Sequence, residues 1–407
     1  MSYLFVFRAY PDVDHMVPLA WKLLEDGERV EAVISPGYDA ERDHHLRFIR
    51  RYPKLRVTRF GRLRSSVPYA LFFLLRRRVK VVHVEWGYGL PEGYDRLPSL
   101  AGVRAVVRSV GRSFLRGKDP QQARTSLIVA ARLLGRSTVC LPHGLNVKLD
   151  TIINPDMQAA GQNGLDWEDR NRFTAYVLNT ANHLDWHLDN AKGDPAVFHA
   201  WGSLRWAPEW VEINRGLAPA FEWPDPAEGR VRVTFMVPKW KNRVDKDAAV
   251  GLVKRLQSLD HVSLAVKGHP RPEDGAADPL HADPEVDWTR IHDVSKVDSV
   301  PLIGQSDVVI DVGSSIGIEV LMQGKVLLNP TYVHELTTIF DETPGSCVVA
   351  PGEDEVVDYL EAHAAGRGHA VPPDAYDEVM RRAVFAGRDE PFDVIGLYSQ
   401  RVRELAR

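Results

Sequence analysis

The sequence contains little cysteine and no long hydrophobic run. Its 407 residues include two cysteines, Cys140 and Cys347, which lie far apart in apolar surroundings. We therefore expect two buried thiols in a reducing compartment rather than a disulfide. Residues 67–75 form the longest apolar stretch near the basic region and are far short of a membrane span, while residues 3–7 are too short for a signal-peptide core. A cytoplasmic protein is predicted.

Motifs of several common enzyme classes are missing as well. There is no GxxxxGK[ST] phosphate loop, no GxGxxG fingerprint after the first apolar run, and no CxxC or HExxH metal pattern. These absences argue against P-loop, dinucleotide and zinc sites. The formal net charge of −4 gives no reason to expect a nucleic-acid partner.

One segment departs from this charge balance. Between Arg47 and Lys80 there are twelve Lys or Arg residues and no Asp or Glu, and an aromatic and aliphatic stretch, residues 69–75, lies inside it. A basic run beside such a stretch can hold an anionic membrane surface or an anionic acceptor. The alternative is a core helix with a solvated basic flank.

The length favours two domains of about 200 residues each. Short apolar runs alternate with amphipathic segments in both halves, which is typical of mostly parallel, doubly wound α/β sheets. We expect an N-terminal domain at 1–215, a C-terminal domain at 216–390 and a separate last helix at 391–407. The predicted strands are residues 3–7, 30–34, 79–85, 137–141, 231–237, 262–266, 308–311 and 326–328, and the predicted helices are about 15–25, 121–134, 247–259, 316–323, 353–364 and 391–407.

A histidine follows the second apolar run of the second half. Lys267 and Gly268 precede His269, and Pro270 and Arg271 follow it. Glycine permits close approach of a ligand to the backbone. The imidazole can bind a phosphate or a leaving group, and Lys267 and Arg271 add positive charge. The alternative is a loop histidine that caps the strand and binds nothing.

Two serines follow the next apolar run of that half, at the start of a predicted helix. Gly313, Ser314 and Ser315 offer backbone N–H groups and two hydroxyls, which together can hold an anion. The alternative is that Ser314 only caps the helix. Glu319, one turn into the helix, either accepts hydrogen bonds from ribose hydroxyls or is a solvated helix carboxylate.

A histidine-glycine pair lies late in the first half. Pro142, His143 and Gly144 directly follow a predicted strand. A histidine in that position is a candidate general base, and Asn146 and Lys148 can orient or neutralise a phosphate. The alternative is a structural turn.

Weaker candidates in the first half are an acidic loop, a histidine and a carboxylate at a strand end, and an arginine. Each can line a ligand site at the carboxyl ends of the strands, and each has a structural role as its alternative. They are Asp12, Asp14 and His15, then His83 and Glu85, and Arg205 after Gly202.

The order of these segments resembles a known group of enzymes. The series is similar to the GT-B transferases of bacterial surface-polymer synthesis, above all the CDP-glycerol glycerophosphotransferases of teichoic-acid pathways. Its His-Pro and Ser-Ser pairs are also similar to those of bacterial sialyltransferases and Kdo transferases, which use CMP-sugars. The resemblance covers about residues 139–341 and rests on His-Gly at 143–144, Met-Val-Pro-Lys-Trp at 236–240, His-Pro at 269–270 and Ser-Ser at 314–315.

The resemblance implies a GT-B fold, in which two Rossmann-like domains face each other across a cleft. The C-terminal domain would bind a CMP- or CDP-linked donor, and the N-terminal domain would bind a polysaccharide or lipid-linked acceptor. The last helix would cross back onto the N-terminal domain. The implied reaction is transfer of a sugar or glycerol-phosphate unit to a hydroxyl, without a cofactor and without a metal.

The resemblance implies roles for six of the candidates, and the others in this paragraph come from their own positions in the sequence. The six are His143, His269, Ser314, Ser315, Glu319 and Arg205. The catalytic candidates are His143 and, as the nearest acidic groups, Asp14 and Glu85. On the donor side they are His269, Ser314, Ser315, Glu319, Gly313, Lys267, Arg271 and Arg205, and on the acceptor side Asn146, Lys148, Asp12 and His15.

The sequence departs from the teichoic-acid pattern in two places. Leu145-Asn146 stands where those enzymes have Thr-Pro, and Val312-Gly313 stands where they have Asp-Tyr. Two other functions stay open: a UDP-sugar 2-epimerase, which shares the architecture, and a nucleotide-sugar-binding protein without catalysis. The sequence does not predict an oligomeric state.

Overall fold

The computed structural model describes residues 2–35, 38–60, 66–85, 120–142, 144, 168–224, 229–269 and 278–407. These residues form two compact α/β units. The first unit contains the described residues up to 144, residues 168–213 and Ala383–Arg407, and the second contains the described part of Asn214–Arg382.

The first unit is built on a seven-stranded parallel sheet with the order β3-β2-β1-β4-β5-β6-β7. Every residue of the first strand is buried, because helices cover both faces of such a sheet. The strands are β1 (Ser2–Phe7), β2 (Arg29–Ile34), β3 (Leu55–Arg59), β4 (Val79–Glu85), β5 (Ser137–Leu141), β6 (Ala175–Leu178) and β7 (Phe198–Ala200).

Helices connect these strands. The first helix is followed by Gly27, whose φ of +80° is the left-handed conformation that ends helices most readily at glycine. The helices are α1 (Tyr10–Glu25), α2 (His44–Ile49), α3 (Val67–Arg77), α4 (Pro120–Leu133), α5 (Ala181–Asn190) and α6 (Pro208–Leu217), with a 3₁₀ turn at Glu168–Arg172.

The second unit repeats this plan with a six-stranded parallel sheet of order β10-β9-β8-β11-β12-β13. Its strands are β8 (Val231–Met236), β9 (Val262–Lys267), β10 (Ile291–Asp293), β11 (Val308–Ile310), β12 (Val326–Pro330) and β13 (Val348–Ala350). Its helices are α7 (Lys246–Gln257), α8 (Pro279–Ala282), α9 (Ser299–Gln305), α10 (Ile316–Met322), α11 (Glu353–Ala364) and α12 (Pro373–Ala383), with a 3₁₀ turn at Thr331–Val333.

The C-terminal segment packs in the first unit. Helix α13 (Val394–Leu405) lies against α1. The Tyr398 hydroxyl donates to the Gly202 carbonyl at 2.8 Å, and the Ser203 N–H donates to the Val384 carbonyl at 2.9 Å. The last residues of the chain are therefore part of the packing around the segment that follows β7.

Neither cysteine is in a disulfide, and both are buried, as the sequence predicts. Within the described ranges, no helix has the length and hydrophobicity that crossing a bilayer requires.

Candidate functional site

Both sheets have the same place for a ligand. In each, the chain first adds strands on one side of the starting strand and then continues on its other side, so the order reverses between β1 and β4 and between β8 and β11. Parallel α/β sheets bind ligands outside the carboxyl ends of the strands at such a switch point. We therefore expect ligand-contacting residues in the segments that follow these four strands.

In the second unit, the turn after β11 is held by a buried carboxylate. Asp311 is 3% exposed. It accepts the Ser314 N–H at 2.8 Å and the Ser314 hydroxyl at 2.6 Å, while the Ser314 hydroxyl oxygen accepts the Ile316 N–H at 3.2 Å. Ser315 is the residue before α10 and makes no side-chain capping bond there. Ser314 is thus exposed and lies one residue before the N-cap position, where its hydroxyl oxygen accepts the N–H of the first residue of α10.

Gly313 fits this turn because of its conformation and its neighbours. Its φ is +62°, which favours glycine. A Cβ at this position would lie 3.1 Å from Leu336 Cδ1 and 3.3 Å from Thr338 Cγ2. The segment after β12 thus packs directly on the serine turn.

The same turn contains a motif match that needs a geometric test. Residues 313–317 read Gly-Ser-Ser-Ile-Gly, which matches the GxSxG pattern of serine nucleophile elbows. The nucleophile of such an elbow sits on strained backbone, whereas Ser315 has φ of −69° and ψ of −6°, an ordinary helical conformation. The backbone gives no support to Ser315 as a nucleophile.

Glu319, the predicted ribose ligand, lies inside the packing of the second unit. It is 4% exposed, and its carboxylate accepts the Gln323 Nε2–H at 2.8 Å. Gln323 also donates to the Val300 carbonyl at 3.0 Å. The alternative of a solvated helix carboxylate is wrong, since the side chain is buried, and the ribose role stays a prediction.

The residues around His269 are positioned from the next loop. The Gly268 N–H donates to Ser295 Oγ at 3.0 Å, and a Cβ on Gly268 would lie 2.7 Å from that oxygen. Ser295 Oγ in turn donates to Asp293 Oδ1 at 2.5 Å. His269 is half-buried at the end of this close approach. Only glycine allows it, and the sequence pattern gave no signal for Ser295 or Asp293.

The surroundings of Lys267 do not favour a role in binding phosphate. Its ammonium donates to the Val297 carbonyl, and burial lowers the pKa of Lys267 below its usual value. Arg271, its predicted partner in adding charge, lies outside the described residues.

Three cations that the motif analysis did not assign follow β8 at the switch point. Lys239, Lys241 and Arg243 lie in the segment 237–244, which has no Asp or Glu. Lys241 and Arg243 are exposed, and Lys239 is half-buried. Because β8 and β11 are hydrogen-bonded neighbours, this cationic segment and the Asp311–Ser315 turn leave adjacent strands at the same edge of the sheet.

A buried polar network shapes the segment after β12. His334 Nδ1 accepts the Leu336 N–H at 3.0 Å, so its Nε2 carries the proton and donates to Asn329 Oδ1 at 2.7 Å. Asn329 Nδ2 donates to Asp341 Oδ1 at 2.9 Å, and Asp341 Oδ2 accepts the Thr338 hydroxyl at 2.8 Å. This network fixes the residues that contact Gly313, and no motif predicted it.

In the first unit, the switch point is occupied by an ion-pair cluster. The Arg8 guanidinium donates to Asp12 through Nε at 2.8 Å and through Nη2 at 2.9 Å, and it also contacts the Glu85 carboxylate. Asp12 is 1% exposed and Glu85 is fully buried. These contacts make both carboxylates counter-ions of Arg8, and their predicted acceptor and catalytic roles stay predictions.

A second pair brings together two residues that the sequence analysis had assigned to different sites. Arg205 Nη1 lies 2.8 Å from Asp14 Oδ2, and the guanidinium lies 4.5 Å from the Trp206 ring centroid. Asp14 is 2% exposed. Arg205, predicted to contact the donor, therefore belongs to the first unit and contacts the candidate base.

The described part of the histidine-glycine motif joins this group. Gly144, with φ of +73°, accepts a hydrogen bond from Asn179 Nδ2 at 2.5 Å, and a Cβ at this glycine would lie 3.7 Å from His15 Nε2. His15 is 5% exposed. His143, Asn146 and Lys148 lie outside the described residues. Asn179, at the end of β6, is a neighbour of the motif that no sequence pattern indicated.

His83 is a core residue. Its side chain is fully buried, its Nδ1 lies 3.0 Å from the Leu4 carbonyl oxygen, and its ring stacks on Phe5 with 4.3 Å between centroids. Burial lowers the pKa of His83 to about 3, so the ring is neutral in the folded protein. The structural role given as its alternative fits these contacts.

No three His, Cys, Asp or Glu side chains in the described part of the chain lie close enough together to hold a metal ion.

Comparisons with known proteins identify the class of fold. The chain matches no protein-family profile and no curated protein sequence. Among solved structures it is similar to the UDP-GlcNAc 2-epimerase of Neisseria meningitidis bound to UDP-GlcNAc, with 10% identity over 99% of this chain and 100% of that one and a TM-score of 0.57. A glycosyltransferase from Rickettsia africae gives 13% identity, coverage of 100% and 98%, and a TM-score of 0.57.

The wall teichoic acid polymerase TagF matches with 10% identity, coverage of 100% of this chain and 87% of that one, and a TM-score of 0.50. At these identities the matches show the fold alone. That fold is the GT-B class, with two Rossmann-like α/β domains, and the fold expected from the sequence is confirmed.

Proposed function

We propose that this chain is a GT-B transferase that moves a sugar or glycerol-phosphate unit from a CMP- or CDP-linked donor to a hydroxyl of a cell-surface polysaccharide or a lipid-linked acceptor. The observation that supports this most is the switch point of the second sheet. A cationic segment follows β8 there, and a turn with exposed serine follows β11.

These two segments supply what a nucleotide donor needs. A pyrophosphate or phosphate leaving group carries negative charge that grows in the transition state, and fixed N–H groups, hydroxyls and cations stabilise it. The turn offers the Ser315 hydroxyl, since the Ser314 hydroxyl proton is donated to Asp311. The segment containing Lys239 and Lys241 offers the cations. Asp311 fixes the turn from inside, since both of its carboxylate oxygens accept hydrogen bonds from Ser314. We assign the donor to the second unit.

The first unit is proposed to hold the acceptor. Asp14 is the candidate base, and Arg205 fixes its carboxylate at 2.8 Å. A base that removes a proton from an acceptor hydroxyl has to be held in one place, and the Arg205 contact does this. The preference for cytidine over uridine rests on the sequence resemblance.

A second candidate function is a UDP-sugar 2-epimerase. The observation that favours it is the match to UDP-GlcNAc 2-epimerases along almost the whole chain. The two functions differ in a simple requirement, since an epimerase converts a UDP-sugar without any acceptor.

A donor panel tests the proposal. CMP-, CDP- and UDP-linked compounds are added to the full chain, and thermal unfolding is followed. A ligand at a hundred times its Kd stabilises the fold by about 2.7 kcal/mol, which is readily seen as a shift in Tm. The proposal expects the largest shift with a cytidine donor and a loss of that shift in Ser315→Ala, with Thr289→Ala as a control outside the turn.

Product analysis then separates the candidates. The transferase proposal fails if no nucleotide compound shifts Tm. Conversion of a UDP-sugar in the absence of acceptor, followed by NMR or mass spectrometry, establishes the epimerase instead. Binding without any turnover across donors and acceptors indicates a nucleotide-sugar-binding protein.

A further inference from the structure

Helix α3 has apolar side chains on its outer face. Phe72 is 55% exposed and Leu75 is 54% exposed, the two highest values among large apolar side chains in the described residues. Pro68 is also exposed, and the spacing 68, 72, 75 puts all three on one stripe of the helix. The inner face is complete without them and is formed by Val67, Ala70, Phe73 and Leu74.

Exposed arginines lie at the end of this stripe. Arg76 and Arg78 are exposed at the C-terminal end of α3, and the Arg76 guanidinium lies 5.8 Å from the Phe72 ring centroid. Arg78 has φ of +54°, a left-handed conformation in which glycine is preferred. The dipole of a helix favours cations at its C-terminal end, and here the exposed Arg76 and Arg78 also place positive charge directly beside the apolar stripe.

The neighbouring strands extend the positive charge. Arg29 begins β2, and Arg56 lies in the edge strand β3; both are exposed. Their charges and that of Arg77 act together on Glu31, which is only 3% exposed. One carboxylate offsets at most one of these three positive charges, so the group keeps a net positive charge.

We propose that this surface, formed by Pro68, Phe72 and Leu75 with Arg29, Arg56, Arg76 and Arg78, binds the face of an anionic lipid bilayer. An apolar stripe inserts at the level of the acyl chains, while arginines beside it remain among anionic headgroups. A soluble polyanion would use the arginines and leave the apolar stripe in water. A second copy of this chain would have to bring its own carboxylates to the arginines.

The net charge of the chain makes this proposal specific. With a formal charge of −4 the whole protein is repelled by an anionic vesicle. Attraction therefore requires a local basic surface within about one Debye length of the lipid, roughly 8–10 Å at physiological salt. Binding that needs anionic lipid cannot come from the average charge.

Vesicle flotation with the full chain tests the proposal without any nucleotide, so its result is independent of the proposed function. Phosphatidylcholine vesicles are compared with vesicles that also contain phosphatidylglycerol. We expect binding only in the second case and weaker binding as salt is raised. Phe72→Ser with Leu75→Ser should weaken partitioning at least tenfold, since burial of such a side chain is worth about an order of magnitude.

Two further variants complete the design. Arg76→Ser with Arg78→Ser should weaken binding roughly 25-fold, at about fivefold for each cation near the surface. Val349→Ser is the matched control, because Val349 is 51% exposed but lies in β13 of the second unit. It should bind as the wild type does. All the altered side chains are exposed, so unchanged Tm values establish that folding is intact.

The proposal is overturned by equal binding to neutral and anionic vesicles. It is also overturned if the variant altered at Arg76 and Arg78 loses binding while the variant altered at Phe72 and Leu75 keeps it. That result would mean that the surface binds a polyanion through its arginines alone. Loss of self-association in the 72 and 75 variant, measured by sedimentation, assigns the surface to a second copy of the chain instead.

Discussion

Replacing Asp311 tests whether the turn after β11 is part of a donor site. Asp311→Ala removes both acceptors of Ser314, the backbone N–H at 2.8 Å and the hydroxyl at 2.6 Å. The backbone at Gly313 and the Ser315 side chain are left unchanged by the substitution. The perturbation therefore acts on the shape of the turn, because Asp311 itself is buried.

The magnitude follows from these two bonds. Hydrogen bonds to a charged group contribute about 1.5–3 kcal/mol each. The exposed Ser314 hydroxyl can bond water instead, so we take about 2–4 kcal/mol as the cost to the turn. If a ligand requires the turn as observed, its affinity falls by about 30-fold to several hundred-fold, at 1.4 kcal/mol per factor of ten. Asp311→Asn keeps one acceptor oxygen and should lose about half of this free energy.

Nucleotide titration by calorimetry measures the effect, with unfolding curves to verify that each variant is folded. Asp287→Ala is the control. Asp287 also accepts a backbone N–H and a hydroxyl, both from Thr289, at 2.9 and 2.6 Å, but it lies before β10 rather than after β11. It should leave affinity unchanged. Wild-type affinity in a folded Asp311→Ala protein would refute the assignment of the turn to the donor site.

Two further predictions concern stability. Gly202→Ala should lower the free energy of unfolding in urea by about 2–5 kcal/mol, since φ is +92° and a Cβ would lie 2.5 Å from the Val384 carbonyl oxygen. Gly135→Ala, at φ of +61° with open space around it, should lower it by only about 1–2 kcal/mol. Equal decreases for the two variants would contradict the predicted clash. Burial lowers the pKa of His83 to about 3 and that of His187 to about 4. Below pH 6.5 these histidines therefore bind protons in the unfolded chain but stay neutral in the folded protein. The free energy of unfolding should therefore fall between pH 6.5 and pH 4 by about 1.4 kcal/mol per pH unit for each histidine, and His83→Asn should reduce that slope by one such step; an unchanged slope would contradict it.

The fold could be predicted where strands are long and apolar. The predicted strand 137–141 coincides with β5 (Ser137–Leu141), and the predicted strand 231–237 with β8 (Val231–Met236). Five strands were not predicted: β3, β6, β7, β10 and β13. Of these, β7 and β10 have three residues each and mixed polarity, β13 has three residues, and β6 has four. Their conformation comes from pairing with a neighbouring strand, which is a tertiary effect.

The site was predictable only in part, for a similar reason. Residue types at strand ends indicated the segments around His269 and Ser314, which follow β9 and β11 in the structure, and their role in donor binding stays a prediction. The pairing of Arg8 with Glu85, 77 positions away, and of Arg205 with Asp14 depends on which strands become neighbours. No local pattern contains that information, so the contact between Arg205 and Asp14 was not predicted, and the donor role of Arg205 stays a prediction.

The two sheets differ in what occupies an otherwise equivalent position, and this difference supports placing the donor in the second unit. At the first switch point, Arg8 is already neutralised by the buried Asp12 and Glu85. The buried Arg124 also donates to the Glu85 carbonyl oxygen at 3.3 Å, so these charged groups already compensate one another within the cluster. At the second, cations follow β8, and the carboxylate of Asp311 is turned inward onto Ser314. Among the described residues, the same topology thus places an ion-pair cluster at one switch point and a cationic segment beside a serine turn at the other, and this is why we propose the second unit for an anionic donor.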